Sequence, residues 1–323
     1  MSQDIRDFLT PSCTLLGLGE PTHREPAFGH RRNDVFATLV RLGFRSIALE
    51  TDRVAALAVD DFVRDGTGTL DDALRDGFSH GFGALEPNRE LLARMRAYNA
   101  TRPPGERLAF HGFDAPTENT TAPSPRTYLE YAARHFDIDL DSAEFGPDEQ
   151  WDRPEAILDA SRSIGDSDIA TKLTVRADDL LDTLHARAPE ASSRAAWRRA
   201  HTHLTAGIGL LRYHRQAARR VEESARISGL LATRGAIMAR NLLDIREIEG
   251  DRGPTLVFAH NAHLQRIPSS MRVAGMAVGW WSAGAIADTV LGERYRVVLG
   301  AMRSDALDRA SVDAADGVLY VDG

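Results

Sequence analysis

Cysteine is almost absent from this sequence: among 323 residues, Cys13 is the only one. A single thiol cannot form an internal disulfide, so the chain shows no sign of folding in an oxidising compartment. Cys13 begins an apolar run, and a buried, inert thiol fits that context better than a nucleophile does. Chemistry based on cysteine is therefore not expected.

Long hydrophobic runs are also missing. No window approaches the roughly 18 consecutive apolar residues of a transmembrane helix. The first residues lack the charged and then apolar order of a signal peptide. We therefore expect a cytoplasmic protein that does not bind a membrane.

Positive charge is in deficit, with 39 Lys and Arg against 47 Asp and Glu and a formal net charge of −8. The acidic residues are spread along the chain, and no basic stripe is present that would hold nucleic acid. Hydrophobic residues make up 43% of the chain and charged residues 27%, which is ordinary for a globular protein. We expect a small-molecule substrate as partner, no nucleic acid, and a monomer or homodimer.

Short apolar runs bounded by turns or helical patterns predict strands. These runs are residues 14–19, 46–50, 108–114, 255–260 and 295–302, with a weaker edge strand at 318–321. Helical patterns lie between them, for example at 51–65 and 89–99. This alternation predicts an α/β fold with a mostly parallel sheet flanked by helices. In such sheets, ligands bind beyond the carboxyl ends of the strands.

The middle of the chain has a different character. Residues 126–249 are rich in Ala, Arg, Glu and Leu, and amphipathic helices are predicted at 178–188, 195–221 and 227–248. We interpret this part as a large helical lobe inserted before the last core strands. The remaining segments, 1–125 and 250–323, then form the α/β core.

Three of the predicted strands end in acidic or imidazole side chains. Glu20 and His23 follow the first strand, Glu50 ends the second, and His260 and His263 end the fourth. Each alone has a plain structural explanation, such as a solvated loop or an acid in the first turn of a helix. Together they place a base of ordinary pKa ~6.5 beside carboxylates at the edge where this fold binds ligands. Joint function of the two later histidines requires the chain to turn after His260.

The order of several short motifs resembles that of the erythromycin esterase family, which includes succinoglycan biosynthesis-type proteins. The motifs are Gly19-Glu20-Pro21-Thr22-His23, Arg32, Gly43-Phe44 followed by Ala48-Leu49-Glu50, Gly112-Phe113-Asp114, and Ala259-His260-Asn261-Ala262-His263. Any one of them is weak, but their order and spacing match over nearly the whole chain. The helical middle matches only in character.

The resemblance implies hydrolysis of a macrolide lactone or a related natural-product ester, in antibiotic resistance or antibiotic biosynthesis. It also implies a helical lobe that covers the active-site cleft, and no covalent nucleophile. By this resemblance His23 is the general base, and the rest of the catalytic site consists of Glu50, Glu20, Arg32, His260 and His263.

The sequence departs from the family at a few positions. Pro21 stiffens the first turn through its fixed φ. Arg24 opens a polar segment where the family has a glycine and an apolar run. Trp280 and Trp281 are not part of the motifs shared with the family, although adjacent tryptophans are more often core residues. We name Arg24, Asp114, Trp280 and Trp281 as candidate substrate-binding residues.

The expected mechanism is general-base catalysis. Neutral His23 takes a proton from water as the water attacks an ester carbonyl, and a carboxylate, Glu50 before Glu20, holds the ring. Arg32 and one of the later histidines meet the oxyanion or protonate the leaving alcohol. The chain has no Gly-x-Ser-x-Gly motif, so an acyl-serine route is not expected.

Three alternatives stay open at this point. No cofactor is expected, but a divalent metal such as zinc could bind at the His/Glu cluster, although neither a His-Glu-x-x-His motif nor a cysteine pair is present. The same groups could catalyse cyclisation, dehydration or acyl transfer in a biosynthetic tailoring enzyme. A non-catalytic small-molecule binding protein is the third alternative.

Overall fold

The computed structural model describes residues 4–23, 25–303 and 308–322. In chain order, the α-helices are α1 Pro26–Arg41, α2 Ala56–Asp65, α3 Leu70–Asp76, α4 Glu86–Asn99, α5 Arg126–Arg134, α6 Glu149–Asp152, α7 Glu155–Leu158, α8 Asp168–Ala186, α9 Arg194–Ala217, α10 Glu223–Glu249, α11 Asn261–Leu264, α12 Ala283–Leu291 and α13 Arg309–Asp313. Short 3-10 helices lie at Ile5–Phe8, Phe82–Ala84, Pro104–Glu106, Ser142–Phe145, Ile164–Asp166, Ala188–Glu190 and Gly292–Arg294.

The chain forms two compact units. One consists of Met1–Asp114 and Gly235–Gly323, and the other of Ala115–Arg234. From the sequence, we placed the boundaries of the helical lobe between residues 125 and 126 and between residues 249 and 250. The boundary at 234/235 falls inside α10, where the composition does not change.

The first unit is built around a six-stranded sheet. Its strands are β1 Leu15–Glu20, β2 Ser46–Asp52, β3 Ala109–Asp114, β4 Thr255–His260, β7 Tyr295–Met302 and β8 Gly317–Val321, while β5 Ser269–Val273 and β6 Met276–Trp280 form a separate antiparallel hairpin. The strand order is β3-β2-β4-β1-β7-β8, and every pairing in this sheet is parallel. The predicted α/β fold with a mostly parallel sheet, flanking helices and a helical lobe is confirmed.

Both faces of the sheet are covered, which explains why its strands read as continuous apolar runs. Every residue of β1 and β3 is buried. Leu16 and Leu18 pack in one apolar cluster with residues of α1, α2 and α4. Leu15 points to the opposite face and packs in a second cluster with residues of α10 and α12.

The second strand is longer than predicted, and the helix after it begins later. β2 continues to Asp52, whose Oδ1 accepts hydrogen bonds from the backbone N–H groups of Val54 at 2.7 Å and Ala55 at 3.3 Å. This Asx-type turn ends the strand before α2 begins at Ala56. The expected helical start at residue 51 is wrong, because the capping carboxylate lies one residue later.

The second unit contains helices α5 to α9 and the first part of α10. Trp151 is fully buried in its core, and the indole Nε1–H donates to the Phe145 carbonyl at 3.0 Å. α8 begins ten residues before the predicted position, at Asp168, because the Ser167 side chain caps it by accepting from Ala170 N at 3.2 Å.

The β5–β6 hairpin is absent from the sequence-based expectation. Its tight turn contains Ala274 and Gly275, both with positive φ, as a two-residue hairpin turn requires. Trp280 ends the hairpin at the last position of β6. None of the helices within the described ranges combines the length and apolarity that crossing a membrane requires.

Candidate active site

The strand order brings three chain segments to one edge of the sheet. β4 lies between β2 and β1, and all three run parallel. Glu20, the last residue of β1, pairs in register with His260, the last residue of β4. Glu50 lies near the end of β2 and accepts a hydrogen bond from the backbone N–H of His260, 210 positions away in sequence. Side chains distant in sequence therefore meet at the carboxyl ends of adjacent strands.

His23 lies in the turn after β1 and contacts both carboxylates. Its Nδ1 is 2.7 Å from Oε1 of Glu20, and its Nε2 is 3.7 Å from Oε2 of Glu50. The turn needs a glycine before Glu20, since a Cβ at Gly19 would lie 2.0 Å from the Asn261 amide oxygen. The sequence ranked Glu50 ahead of Glu20 as the group that holds the ring. The distances reverse that order.

Glu50 connects the two later histidines to the site. Oε2 accepts from the His260 backbone N–H at 2.9 Å, and Oε1 lies 3.2 Å from Nε2 of His263. The side chain is only 6% exposed. A buried carboxylate requires such donors, because an unpaired one would lose its hydration without compensation. Glu50 is therefore held in a defined position.

The ring of His260 is fixed by the backbone on both sides. Its Nε2–H donates to the Pro21 carbonyl at 2.9 Å, and its Nδ1 accepts from the Ala262 N–H at 3.1 Å. Burial, together with the charge of the neighbouring His23, lowers the pKa of His260. The imidazole is thus a neutral, fixed tautomer that joins the turn after β1 to the turn after β4.

The chain turns after His260, as joint function of the two histidines requires. α11 begins at Asn261, and His263 lies in this short helix with 9% of its surface exposed. Its Nε2 faces Glu50, while its Nδ1 is buried and has no hydrogen-bond partner among the described residues. The ring centroids of His260 and His263 are 6.4 Å apart, and those of His23 and His260 are 5.6 Å apart.

Arg32 is a buried cation held by neutral oxygen atoms. Its Nε and one terminal nitrogen donate to Oδ1 of Asn33 at 3.1 and 2.8 Å, and further bonds go to Oδ1 of Asn88 at 2.8 Å and the Pro87 carbonyl at 3.0 Å. The guanidinium carbon lies 5.0 Å from the centroid of the Phe258 ring. Burial lowers the pKa of Arg32 to about 10. The group still remains charged at neutral pH and places one positive charge beside the two carboxylates of the site.

The charge of Arg32 bears on Glu20. Burial raises the pKa of the Glu20 carboxyl above its ordinary value, while the hydrogen bond from His23 and the charges of His23 and Arg32 act in the opposite direction. The Glu50 carboxylate adds to the rise. Two acids, an imidazole and a guanidinium therefore share one buried site, and their opposing effects act on the pKa of Glu20.

A small cavity of about 40 Å³ opens among these groups. Its polar lining includes Glu20, His23, Arg32 and Glu50, and apolar residues from α1, α4 and the loop before α4 complete its wall. A buried water needs roughly 10–15 Å³ of such space, so the cavity has room for a few water-sized groups. The candidate catalytic side chains therefore line the cavity.

The structure places the four candidate substrate-binding residues elsewhere or does not describe them. Asp114 ends β3, which is an edge strand separated from β4 by β2, and its Oδ2 lies 3.1 Å from Nε2 of His80. Trp280 is buried and Trp281 is 57% exposed, and neither lines the cavity. Arg24 lies outside the described residues.

Some residues of the site were missed by sequence reasoning. Asn261 donates to the Gly300 carbonyl at 2.8 Å and accepts from the Gly300 N–H at 3.0 Å, which ties the turn after β4 to β7. Phe82 places its ring centroid 4.9 Å from that of His23. A partial signal existed for Phe82, because the glycines on either side of it, Gly81 and Gly83, indicate a turn or loop.

The described residues present no donor set of the kind that the metal alternative needs. Across the part of the chain that the structure describes, no group of three or more His, Cys, Asp or Glu side chains is arranged to hold a metal ion. Glu50 and the three histidines instead contact one another and the backbone. Nothing in this arrangement favours zinc.

A protein-family model matches most of the chain. Residues 40–314 match the sequence model described as erythromycin esterase. This segment includes Glu50, His260 and His263, whereas Glu20 and His23 precede it. No curated protein sequence matches the chain.

Three solved structures share the fold. A Bacillus cereus protein matches with a TM-score of 0.62 and 18% identity, covering 90% of this chain and 66% of that one. A succinoglycan biosynthesis protein matches with a TM-score of 0.64 and 16% identity, covering 90% and 67%. A histidine-to-asparagine variant of the erythromycin esterase EreC, in its open conformation, matches with a TM-score of 0.63 and 20% identity, covering 90% and 71%. The chain thus spans about two thirds of the length of these structures, and at such identities the likeness concerns the fold.

Proposed function

The chain belongs to the erythromycin esterase family, and on that premise we propose that it hydrolyses an ester or lactone bond in a natural product, macrolide-type or other. The observation that carries this proposal is the position of His23, with Nδ1 2.7 Å from Glu20 and Nε2 3.7 Å from Glu50 beside a small cavity. An imidazole held by one carboxylate, with a second carboxylate near its other nitrogen and a cavity beside it, suits the role of a general base.

The tautomer of His23 follows from its partner. An ionised carboxylate only accepts hydrogen bonds, so the proton of a neutral His23 lies on Nδ1 and is donated to Glu20. Nε2 then carries the lone pair. Its 3.7 Å separation from Glu50 Oε2 is too long for a direct hydrogen bond, but it lets one water contact both atoms. Such a water donates one proton to each and has its oxygen lone pair free for attack.

The reaction proceeds in two proton transfers. The water oxygen bonds to the carbonyl carbon while its proton passes to Nε2 of His23, which gives an imidazolium stabilised by Glu20. The tetrahedral intermediate then collapses, the bond from carbon to the leaving oxygen breaks, and the proton on Nε2 passes to that oxygen. The products are a carboxylic acid and an alcohol, and general-base catalysis of this kind contributes about 10²- to 10⁴-fold in rate.

The remaining residues have supporting roles in this mechanism. Arg32 supplies the positive charge that favours the oxyanion, since its four hydrogen bonds to described residues leave one of its five N–H groups for a ligand. His260 and His263 act as positioning residues. The ring nitrogens of His260 bond the backbone, and His263 holds Glu50.

The lining of the cavity supports attack by water and not by a side chain. Among the described residues, no serine, threonine or cysteine lines the cavity. Cys13 is buried just before β1, and burial raises the pKa of its thiol to about 11, so it is almost wholly protonated at neutral pH. An acyl-enzyme route would lack its nucleophile.

The test compares His23→Asn with the wild-type protein on a panel of macrolides, smaller lactones and simple esters. Mass spectrometry detects the gain of one water per molecule. We expect the substitution to lower kcat by about 10²- to 10⁴-fold with unchanged folding by circular dichroism. His30→Asn is the matched control, because His30 is an exposed histidine of α1 that pairs with Glu90 at 3.0 Å, and it should retain full activity.

The product mass separates this proposal from the alternatives. Loss of one water, or transfer of an acyl group, would point to a tailoring enzyme that uses the same base. Tight binding without any change in mass would point to a binding protein. Full turnover by the His23→Asn variant would reject the assigned base.

A further inference from the structure

Asn88 is a buried asparagine beside the cavity to which the proposed mechanism gives no role. It lies in the first turn of α4, is 4% exposed and lines the cavity. Its Oδ1 accepts from Nη1 of Arg32 at 2.8 Å, and its Nδ2 donates to the Phe82 carbonyl at 2.9 Å. The Phe82 ring lies 4.9 Å from the ring of His23. One amide therefore joins the buried cation of the site to the residue that packs on the proposed base.

The two partners of the Asn88 amide allow it only one orientation. A guanidinium only donates hydrogen bonds and a backbone carbonyl only accepts them. The amide oxygen must therefore face Arg32, and the amide nitrogen must face Phe82. The Phe82 carbonyl also accepts from the Leu85 N–H at 3.1 Å, so both of its acceptor positions are occupied. A rotated amide would lose both of its bonds.

The bond from Arg32 to Asn88 involves the nitrogen that carries the remaining N–H group. Among the described residues, Nε and Nη2 of Arg32 donate to Asn33, and Nη2 also donates to the Pro87 carbonyl. Nη1 donates to Asn88 alone. A guanidinium has five N–H groups in a fixed planar arrangement, so the fifth is on Nη1. The bond to Asn88 thus sets the direction in which Arg32 offers this group to a ligand in the cavity.

The partners of Arg32 also leave its charge unneutralised. Its bonds end on neutral amide and carbonyl oxygens, whereas the Glu90 carboxylate on α4 accepts from Nδ2 of Asn33 at 2.9 Å. A carboxylate bonded directly to the guanidinium would form an ion pair and cancel much of its charge. The unpaired charge of Arg32 lowers the pKa of Glu20 and favours a developing oxyanion.

The backbone around Asn88 packs too closely to let the amide shift. A Cβ at Gly29 on α1 would lie 2.6 Å from Cβ of Pro87, the residue before Asn88. A Cβ at Gly83 would lie 1.9 Å from the Leu74 carbonyl, so the segment 77–85 packs directly on α3. The amide therefore links two parts of the site whose backbones are already fixed.

We propose that Asn88 is a positioning residue of the active site, which directs the remaining N–H group of Arg32 toward the reacting carbonyl and holds Phe82 against His23. This inference rests on the proposed function. Asn88 itself makes and breaks no bond of the substrate. An amide suits the position because it combines a neutral acceptor with a donor. A carboxylate lacks the donor, and an apolar side chain lacks both.

Asn88→Asp keeps the shape of the side chain and replaces the neutral acceptor by a carboxylate. The new charge pairs with Arg32, and the side chain no longer donates to Phe82. Because the charge of Arg32 lowers the pKa of Glu20, this pairing raises that pKa. His23 and Glu50 also act on Glu20, and the substitution changes neither. We expect kcat to fall by about 10- to 100-fold and the acid limb of the kcat/KM pH profile to move to higher pH.

Asn88→Ala removes both bonds without adding a charge. We expect a similar fall in kcat, of about 10- to 100-fold, with KM changed only a few-fold. The acid limb should stay near that of the wild type, because Arg32 keeps its charge. The nuclear Overhauser effect between the ring protons of Phe82 and His23 should weaken. Circular dichroism checks the folding, and Asn88→Ser replaces this variant if it does not fold.

Asn119→Asp is the matched control. Asn119 is an exposed asparagine of the second unit, so its substitution adds the same charge without a bond to Arg32. It should leave kcat, KM and the pH profile unchanged. Wild-type kcat and a wild-type pH profile in folded Asn88→Asp and Asn88→Ala would overturn the positioning role while the proposed function stands.

Two NMR measurements test the role of Asn88 without catalysis. Protein labelled with ¹³C at the glutamate carboxyl groups gives the titration of Glu20, whose signal is assigned by its absence in Glu20→Gln. If no ester or lactone is hydrolysed, a Glu20 titration at higher pH in Asn88→Asp and a weaker Phe82–His23 effect in Asn88→Ala would support the positioning role while the hydrolytic function fails. Wild-type signals in both variants would overturn it.

Discussion

Glu20 and Glu50 are both carboxylates at strand ends, yet their partners give them different tasks. Glu20 faces Nδ1 of His23 at 2.7 Å, whereas Glu50 accepts from the His260 backbone and lies 3.2 Å from His263. A group on Nδ1 sets the tautomer and stabilises the imidazolium. In the proposed mechanism, a carboxylate next to Nε2 contacts the attacking water. We therefore expect their substitutions to have different consequences.

Glu20→Gln removes the negative charge while it keeps the size of the side chain. The neutral amide can donate to Nδ1 and favour the tautomer with its proton on Nε2, which blocks the base. We expect kcat to fall by about 10²- to 10⁴-fold with KM changed only a few-fold. Steady-state kinetics on the best ester of the panel measures this, with circular dichroism as the check on folding.

Glu86→Gln is the control for that substitution, because Glu86 is an exposed acid at the start of α4. It should leave both constants unchanged. A Glu20→Gln variant within tenfold of wild-type kcat would show that another group orients His23.

The sequence predicted the residue types of the site better than it predicted their partners. Acids and imidazoles at strand ends are visible in the chain, and the fold rule places them at one edge. The bonds from the His260 ring to the Pro21 carbonyl and the Ala262 N–H are not visible, since they depend on the path of two turns. Asp114 carries the same signal as Glu50, but the strand order puts it beyond β2.

The turn from β4 into α11 depends on a single amide. Asn261 makes two hydrogen bonds to the backbone of Gly300 on β7. The same amide leaves no room for a side chain at Gly19 on β1. It thereby joins three adjacent strands and sets the position from which His263 reaches Glu50.

Asn261→Ala leaves the Gly300 N–H and carbonyl without these partners. Each lost bond to a buried backbone group costs about 1–3 kcal/mol, so we expect the free energy of unfolding to fall by roughly 2–6 kcal/mol. Urea denaturation at constant m-value measures this. Gln265→Ala removes an amide that is bonded to Pro268 and Ser269 near the surface, and it should cost less than about 1 kcal/mol. Equal effects of the two substitutions would contradict the assigned role.

Elements with strong periodic or apolar patterns were predictable, and those defined by local geometry were not. The core strands of the parallel sheet are buried on both faces and read as apolar runs. β5 has mostly exposed residues and pairs only with β6, so its sequence shows no continuous apolar run. α11 is four residues long, which is too short for any helical period.

The two units of the molecule have separate hydrophobic cores. The sheet of the first unit is covered by two clusters, and the described members of the second unit's clusters all lie within Ala115–Arg234. Domains with their own cores can open locally without global unfolding. The composition of the chain indicated the helical middle. The second unit ends inside α10, where the composition does not change.

Leu204→Ala tests whether the helical unit is stabilised by its own core. Leu204 is fully buried in α9 within that core, so the truncation should cost about 2–5 kcal/mol. We expect hydrogen exchange to become faster at amides of residues 115–234 and to stay unchanged in the strands of the sheet. Leu158→Ala removes a side chain that is 53% exposed in the same unit, and its exchange pattern should match the wild type. Faster exchange in β1, β2 and β4 of the Leu204→Ala variant would instead show that the two cores unfold as one cooperative unit, because the lost packing would then destabilise strands that contain none of its contacts.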